Sequence, residues 1–207
     1  MGLPAEKRLF TAEEYFRIEL QSPTRHEYHD GQIFEMSGGS YEHSLIISNT
    51  NRRLGNALDG KPCRVLDGNL KIGIASMDRF VYPDVFVICG QPQFDPRDPN
   101  RHTVTNPRLI VEVLSPSTES YDRTAKFNRY RELDSFEEYV LISQNQAAVE
   151  TFFRQPDRTW LFTPHSGVEA VVHLRSLTIE PRLADLYAGV EFRSVPESPF
   201  DSFAGEH

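Results

Sequence analysis

The stretch "LIVEVLSPST", Leu109–Thr118, predicts a buried β-strand with a carboxylate, Glu112, in its middle. Side chains alternate between the two faces of a strand, so Glu112 shares one face with Ile110 and Leu114. A carboxylate buried on either face costs several kcal/mol unless it is paired, hydrogen-bonded or bound to a metal. The sequence therefore predicts a cation beside Glu112.

The residues that follow predict how this strand is connected. After Pro116, Ser117 or Thr118 can cap a helix that runs to about Leu133. The apolar run "EEYVLIS" then predicts another strand at 138–143. A strand, a helix and a second strand in this order typically form parallel neighbours with a right-handed crossover.

Three elements are predicted in the first part of the chain. "TAEEYFRIEL", Thr11–Leu20, has a Thr cap and an acidic first turn, as a short helix does. The Asp30-Gly31 turn predicts a β-hairpin over Arg25–Ser37. "GGSYEHSLIISNTNRRLGNALDG" has apolar residues at helical spacing and predicts a long helix that ends at Asp59-Gly60.

Short strands are predicted between and after these elements. They lie at 63–66, 70–74 and 80–88, and a strand pair turns at Pro156-Asp157. Four prolines fall within residues 90–107 and predict a loop without a regular element. This order predicts an α/β (α+β) fold with a mixed central β-sheet flanked by helices. We expect a single domain over 1–192 and a loose C-terminal tail over 193–207, where periodicity is lost.

The composition excludes some classes of protein. The net charge of −8 argues against a protein that coats nucleic acid, although a small basic groove is compatible with it. No apolar run is long enough to span a membrane, and the N-terminus has no signal-peptide pattern, so a soluble cytoplasmic protein is expected. Cys63 and Cys89 fit no zinc or redox spacing and are expected to be reduced and packed.

A second acid also lies inside an apolar strand. Asp84 follows Pro83 at the start of "YPDVFVICG", with no Lys or Arg beside it in sequence. Two such acids at neighbouring strand ends would form an oxygen site suited to Mg²⁺ or Mn²⁺. The alternative is that each acid pairs with a structural arginine, such as Arg79 or Arg108. The two acids together favour the metal.

These motifs resemble the Uma-two family of restriction-endonuclease-like proteins, a branch of the PD-(D/E)XK nuclease superfamily. The resemblance rests on "PD" at 83–84, "VEVLSPST" at 111–118 and the later Asp122, Lys126 and Tyr130, together with "HEYHDGQIFEM" and "GGSYEHS". It implies a restriction-endonuclease-like sheet with an N-terminal β-hairpin. It also implies a metal-dependent phosphodiesterase centre, with Asp84 and Glu112 as metal ligands and the Val113 carbonyl completing the shell.

The sequence departs from the superfamily pattern at one position. A lysine is expected two residues after the Glu, where this chain has Leu114. The resemblance implies that this lysine has moved to the following helix, which nominates Lys126 as the catalytic cation. The alternative is that Lys126 forms a surface i,i+4 pair with Asp122, which contributes only a few tenths of a kcal/mol.

Two further residues match family positions. Glu27, in the hairpin, is nominated as an additional acid of the centre, and pairing with Arg25 or a hairpin neighbour is equally compatible with the sequence. His43 opens the long helix, where a histidine can bind phosphate or orient water, or can simply make a cap-like hydrogen bond.

The resulting hypothesis is a metal-dependent endonuclease that acts on nucleic acid, with DNA favoured. Arginines 52, 53, 123, 129 and 131 could supply a local basic surface, and tyrosines 41, 121 and 130 could stack on bases. A homodimer would suit double-strand cleavage. The alternative is a catalytically inactive module that keeps the nuclease fold and binds nucleic acid or protein, as the acidic charge and the absent strand lysine suggest.

Overall fold

The structure is a computed structural model that describes residues 8–192, in which eleven strands form two sheets. The helical segments are α1 (Ala12–Gln21), α2 (Tyr41–Ala57), α3 (Glu119–Tyr121), a π turn (Asp122–Lys126), α4 (Phe127–Tyr130) and α5 (Leu183–Leu186), with a 3-10 turn at Ala75–Met77. The strands are β1 (His26–His29), β2 (Gln32–Glu35), β3 (Cys63–Asp67), β4 (Lys71–Ile74), β5 (Arg79–Val81), β6 (Val85–Cys89), β7 (Thr103–Val104), β8 (Leu109–Leu114), β9 (Glu138–Ser143), β10 (Ala148–Arg154) and β11 (Trp160–Ser166).

The larger sheet has six strands in the order β11-β10-β9-β8-β6-β3. Strands β8 and β9 are parallel, which confirms the predicted crossover, and the other pairs are antiparallel. Val85 pairs with Val111 across β6 and β8. Because Asp84 comes directly before Val85, this register brings it beside Glu112. The predicted mixed α+β fold and the predicted strand pair around Pro156-Asp157 are both confirmed.

All six residues of β8 are buried, and its two faces pack into two different apolar clusters. Val111 and Val113 face a cluster that includes Ile46 of α2. Ile110 and Leu114 face a cluster that includes Tyr130 and Tyr139. Burial of each Val, Leu or Ile side chain contributes about 1.5–3 kcal/mol. This packing holds the backbone around Glu112 in place.

The N-terminal elements form as predicted. The Thr11 side chain accepts a hydrogen bond from the Glu14 amide, and the Glu14 side chain accepts one from the Thr11 amide. The two bonds make a capping box at the start of α1. Asp30 (φ 55°) and Gly31 (φ 74°) both adopt left-handed conformations, as a two-residue hairpin turn requires. The hairpin lies in a second sheet, however, whose strand order is β2-β1-β5-β4-β7.

The single strand predicted over 80–88 is wrong. Strand β5 belongs to the five-stranded sheet and β6 to the six-stranded sheet, and Tyr82, Pro83 and Asp84 connect them. Proline lacks the N–H that a strand ladder requires, so the ladder is interrupted there. Asp84 therefore lies at the point where the chain passes from one sheet to the other.

Two other boundaries differ from the sequence predictions. The loop over 90–107 contains β7, which pairs with β4 in parallel, so the expectation of no regular element is wrong. The helix predicted to run to about Leu133 ends at Tyr130, is interrupted by the π turn and has no side-chain cap at Thr118. A π turn inside a helix is frequently found at a functional site.

The prediction that the two cysteines are reduced is also wrong. Cys63 and Cys89 are directly opposite each other on β3 and β6, and a disulfide joins them. The spacing in sequence, 26 residues, carries no information about strand register. The disulfide ties β3, at the edge of the six-stranded sheet, to its neighbour.

Some predictions are not tested by the fold. The predicted tail at 193–207 lies outside the described residues, and the boundary of a single domain over 1–192 stays a prediction. Within residues 8–192, no helix is long and apolar enough to cross a membrane. The cytoplasmic location stays a prediction, and the disulfide does not support it, because disulfides are rare in reducing compartments.

Candidate active site

A cavity of about 280 Å³ opens where β6 begins and β8 ends. Its walls include Asp84, Glu112, Val113, Asp122, Lys126 and His43. The residues "SPST" that follow β8 form another part of the wall. The fold thus brings four of the five nominated side chains to one opening, and Glu27 approaches the same group from behind Lys126.

Asp84 and Glu112 are held together through the backbone. The Asp84 amide donates to Glu112 Oε2 at 3.3 Å, and the Val113 amide donates to Asp84 Oδ2 at 2.7 Å. Glu112 is 2% exposed, whereas the Asp84 side chain is 22% exposed. The two carboxylates are therefore neighbours on the cavity wall, and Asp84 is the more exposed of the two.

Lys126 is the cation that Glu112 was predicted to need. Its Nζ lies 3.1 Å from Glu112 Oε1, 3.3 Å from Asp122 Oδ1 and 3.7 Å from Glu27 Oε1. The same Nζ donates to the Tyr82 carbonyl at 3.4 Å. Burial lowers the pKa of Lys126, but these carboxylates outweigh it and raise the pKa well above its ordinary value. Lys126 is buried and not a surface partner of Asp122 alone, so that alternative is wrong.

The centre contains more carboxylate side chains than basic side chains. Burial raises the pKa of Glu112 well above its ordinary value, and the fields of Asp122 and Asp84 add to the effect while Lys126 opposes it. Burial likewise raises the pKa of Asp122, although its Oδ1 lies 3.3 Å from Lys126 Nζ, which opposes the effect. Three carboxylates lie within 4 Å of one lysine, and the fourth, Asp84, pairs with His43.

Glu27 contacts the centre and not Arg25. Its Oε1 accepts from the Tyr82 amide at 3.3 Å, and its Oε2 accepts from the Tyr121 hydroxyl at 2.9 Å. With Lys126 3.7 Å away, Glu27 is buried on the lysine side of the group. The alternative in which it pairs with Arg25 or a hairpin neighbour is wrong.

His43 reaches Asp84 from the start of α2. Its Nε2 lies 3.4 Å from Asp84 Oδ2, and its backbone amide donates to the Ser40 side chain at 3.1 Å. The cap-like hydrogen bond is therefore made by the backbone, which leaves the ring to contact Asp84. Burial lowers the pKa of His43, but the contact with Asp84 outweighs burial and raises it above its ordinary value.

Three tyrosines of the centre were not predicted to have their observed roles. The Tyr130 hydroxyl donates to Glu112 Oε1 at 2.9 Å, and Tyr121 and Tyr82 contact Glu27. Tyr130 is fully buried, so the idea that it stacks on a base is wrong. One indication in the sequence that Tyr130 belongs to the centre is that it lies eight residues after Asp122 on the same helical face.

The arginine alternative for the two acids is wrong. Arg79 pairs with Asp30 at 2.9 Å, and Arg108 pairs with Glu137 at 2.9 Å. Several arginines proposed as a basic surface are also engaged in contacts within the protein. Those contacts are Arg52 with Asn49, Arg53 with Asp185, Arg123 with Glu119 and Glu150, and Arg129 with Tyr121.

The donor set fits a hard divalent cation. Within residues 8–192, no group of three or more His, Cys, Asp or Glu side chains is arranged to hold a metal ion. Mg²⁺ needs only one or two carboxylates, since waters and substrate phosphates complete its shell. Asp84 and Glu112 place two neighbouring carboxylates on the wall of this cavity, and Val113 and Asp122 line the same wall, so the oxygen chemistry fits such an ion.

The chain resembles known proteins over most of its length. A family model described as "Uma2: Putative restriction endonuclease" matches residues 12–184. Two uncharacterized proteins of Synechocystis sp. (strain ATCC 27184 / PCC 6803 / Kazusa) are similar to it. One, slr1290, is 36% identical over 181 residues, which are 87% of this chain and 92% of that protein. The other, sll1609, is 33% identical over 179 residues, which are 86% of this chain and 100% of that protein.

The fold also resembles a solved structure. It matches the crystal structure of a putative nuclease belonging to DUF820 from Anabaena variabilis with a TM-score of 0.68. The match covers 86% of this chain and 97% of the other, at 18% sequence identity. This likeness concerns the fold and confirms the predicted fold class.

Proposed function

This chain belongs to the Uma2 family, and from that premise we propose that it is a metal-dependent endonuclease that hydrolyses phosphodiester bonds in DNA. The observation that carries the proposal is the buried lysine of the centre. Lys126 replaces the lysine missing at Leu114, and its ammonium lies within 4 Å of three carboxylates. A purely structural ion pair would not need so many acids beside one cation.

Asp84, Glu112 and the Val113 carbonyl would hold Mg²⁺ or Mn²⁺ in this centre. When bound, the metal would polarise the scissile phosphate and lower the pKa of the attacking water. The protein supplies the position of these oxygens, because β8 is buried on both faces and two backbone amides fix the carboxylates. Such preorganisation reduces the reorganisation that the reaction requires.

Lys126 and His43 would act on the substrate from opposite sides of Asp84 and Glu112. Glu112, with Glu27 and Asp122, raises the pKa of Lys126 and favours its charged form, so the ammonium can stabilise negative charge that develops on the phosphate. His43 lies on the cavity wall beside Asp84, where a ring N–H can donate a hydrogen bond to a phosphate oxygen. Tyr130 and Tyr121 position Glu112 and Glu27.

Cleavage assays with matched variants test the proposal. Purified protein is incubated with single- and double-stranded DNA and RNA in Mg²⁺, Mn²⁺ or EDTA. We expect metal-dependent cleavage of DNA by the wild type and by Asp134→Asn, whose side chain is 96% exposed and outside the centre. We expect no cleavage by Glu112→Gln or Lys126→Met. Equal cleavage by wild type and Glu112→Gln would refute the proposed centre.

One observation favours a second candidate function. The Lys126 ammonium is already surrounded by carboxylates, and a lysine held this way can substitute for a metal ion. In that case the chain would be an inactive nuclease fold that binds nucleic acid or protein. Binding of DNA in EDTA, without cleavage under any metal condition, would support the second candidate over the first.

A further inference from the structure

A second buried lysine lies outside the candidate active site. Lys71, the first residue of β4, is 4% exposed. Its Nζ lies 5.9, 5.8 and 5.6 Å from the ring centroids of Tyr15, Phe16 and Tyr82. Among residues 8–192, the acids that act on this Nζ are Asp98 and Glu19, and they act through their fields and not through an ion pair. Lys71 is therefore a buried cation surrounded by aromatic rings.

This arrangement leaves the Lys71 charge undercompensated. Removing an ammonium from water is costly, and each cation–π contact returns only about 0.5–2 kcal/mol. Burial lowers the pKa of Lys71, because the fields of Asp98 and Glu19 only partly offset the loss of hydration. An anion that reached the ammonium would therefore gain a strong interaction.

The two nearby acids are engaged by other donors. Glu19 accepts from the Tyr82 hydroxyl at 2.7 Å and from the His26 amide and ring at 3.0 Å. Asp98 accepts from the Thr103 hydroxyl at 2.6 Å and from two backbone amides. Both carboxylates therefore have their own hydrogen bonds, and neither is positioned to pair with Lys71.

The Lys71 side chain lies on the wall of a cavity of about 210 Å³ that is rich in hydrogen-bond donors. The same wall also contains the carboxylates of Glu19 and Asp98, whose oxygens are engaged by the hydrogen bonds given above. The donors on this wall are Lys71, Arg25, Asn69, Asn100, Ser22 and Thr24. Pockets that enclose drug-sized ligands typically measure about 300–1,000 Å³. The smaller volume suits a phosphate group better than a whole nucleotide.

This cavity, here called the Lys71 pocket, adjoins the candidate active site. Arg25 and Asn69 also line a groove of about 470 Å³ whose far wall contains Asp84 and His43. Asp84 and His43 in turn line the cavity of the catalytic centre. A strand of nucleic acid that entered the centre could therefore continue along the groove past Arg25 to Lys71.

We propose that the Lys71 pocket binds a backbone phosphate of the nucleic-acid substrate, away from the scissile bond. The inference rests on the proposed function and extends it by a subsite for the flanking strand. Lys71 and Arg25 donate charge-assisted hydrogen bonds to the phosphate oxygens, and the amides and hydroxyls of the wall complete the set. The contact carries no sequence preference, because it is made to the backbone.

Binding measurements with a matched lysine variant test the proposal. Lys71→Met keeps an unbranched chain among the three rings, and Lys61→Met removes an exposed lysine from the α2–β3 turn as the control. Affinity for labelled DNA is measured by fluorescence anisotropy in EDTA, over a range of salt concentrations. We expect Kd to rise about tenfold in Lys71→Met alone. We expect the slope of log Kd against log salt to fall by about 0.7–0.9.

A second pair of variants tests the pocket independently, in case Lys71→Met does not fold. Arg25 is exposed, so Arg25→Met is expected to fold normally and to weaken binding in the same direction. Arg64→Met, which changes an exposed arginine on β3, is its control. Circular dichroism and the unfolding midpoint verify that every variant is folded.

The binding and cleavage results together distinguish failure of the phosphate subsite from failure of the nuclease proposal. Selective weakening in Lys71→Met and Arg25→Met supports the subsite. If the wild type cleaves DNA and Lys71→Met binds with the same Kd and salt slope, the subsite is wrong and the nuclease stands. If Lys71 is needed for binding but no cleavage occurs with any metal, the subsite stands and the nuclease is wrong. No binding by the wild type overturns both.

Discussion

Two buried lysines, Lys126 and Lys71, are placed in opposite surroundings by the same fold. Lys126 lies among three carboxylates, which raise its pKa well above the ordinary value despite burial. Lys71 lies among three aromatic rings, and burial lowers its pKa. Burial is common to both, so the neighbours determine the difference. A lysine surrounded by acids is suited to a reaction centre, whereas a lysine that is not ion-paired to an acid is suited to an incoming anion.

The largest expected difference between the two lysines is in stability. Lys126→Met leaves several carboxylates buried without their cation and should lower the free energy of unfolding by about 3–5 kcal/mol. Lys71→Met removes an unpaired charge from an aromatic environment and should leave stability unchanged or increase it. Urea denaturation of both variants measures the difference. Equal losses would show that the two environments do not differ as described.

A smaller loss is expected when a neighbour of the Lys126 group is changed. Tyr130→Phe removes the hydroxyl that donates to Glu112 at 2.9 Å. Hydrogen bonds to charged groups contribute about 1.5–3 kcal/mol, so the free energy of unfolding should fall by that amount. Tyr41→Phe is the control, because the Tyr41 side chain is 73% exposed. A Tyr130→Phe variant as stable as the control would contradict this assignment.

Metal binding should stabilise the acidic centre and not the Lys71 pocket. At a free Mg²⁺ or Mn²⁺ concentration roughly ten times Kd, the wild type should gain about 1.4 kcal/mol. Asp84→Asn should lose this gain, whereas Lys71→Met and Asp134→Asn should keep it. Thermal unfolding with and without metal measures the effect. An unchanged response in Asp84→Asn would exclude Asp84 as a ligand.

The smallest expected effect is the pH dependence that Lys71 confers. Its folded pKa is lowered, so between that pKa and the ordinary value of about 10.4 the unfolded chain binds more protons. The wild type should therefore gain stability relative to Lys71→Met as pH rises through this window. Denaturation curves of both proteins from neutral pH to about pH 10 measure the difference. A constant difference across the range would show that Lys71 has an ordinary pKa.

The sequence predicted the part of the centre that lies on one strand. The alternation in Leu109–Leu114 identified the buried face of Glu112, and the family resemblance nominated Lys126 in place of Leu114. The structure brings Lys126 to 3.1 Å from Glu112, although the catalytic role of both residues stays a proposal. The burial of Glu112 was predictable because it depends on local periodicity, and Lys126 was nominated by a short motif shared with the family.

Features that depend on register or on crossing between sheets were not predictable in this way. The disulfide between Cys63 and Cys89 follows from the pairing of β3 with β6, which spacing does not reveal. The split of the strand around Pro83 and the contact of Glu27 with Tyr121 both require two sheets to meet. The surroundings of Lys71 were not predictable from the sequence, because its aromatic neighbours come from two segments distant from it in the chain, Tyr15 and Phe16 of α1 and Tyr82.

The most direct test of the account is the steady-state kinetics of Mn²⁺-dependent DNA cleavage by the wild type, Lys126→Met and Lys71→Met, each verified as folded at the assay temperature. We expect Lys126→Met to lose kcat, because the substitution removes positive charge from beside the reacting phosphate. We expect Lys71→Met to raise KM and to leave kcat near the wild-type value, because the substitution removes uniform binding of the flanking strand. Cleavage by Lys126→Met at the wild-type kcat would contradict the assignment of the catalytic centre.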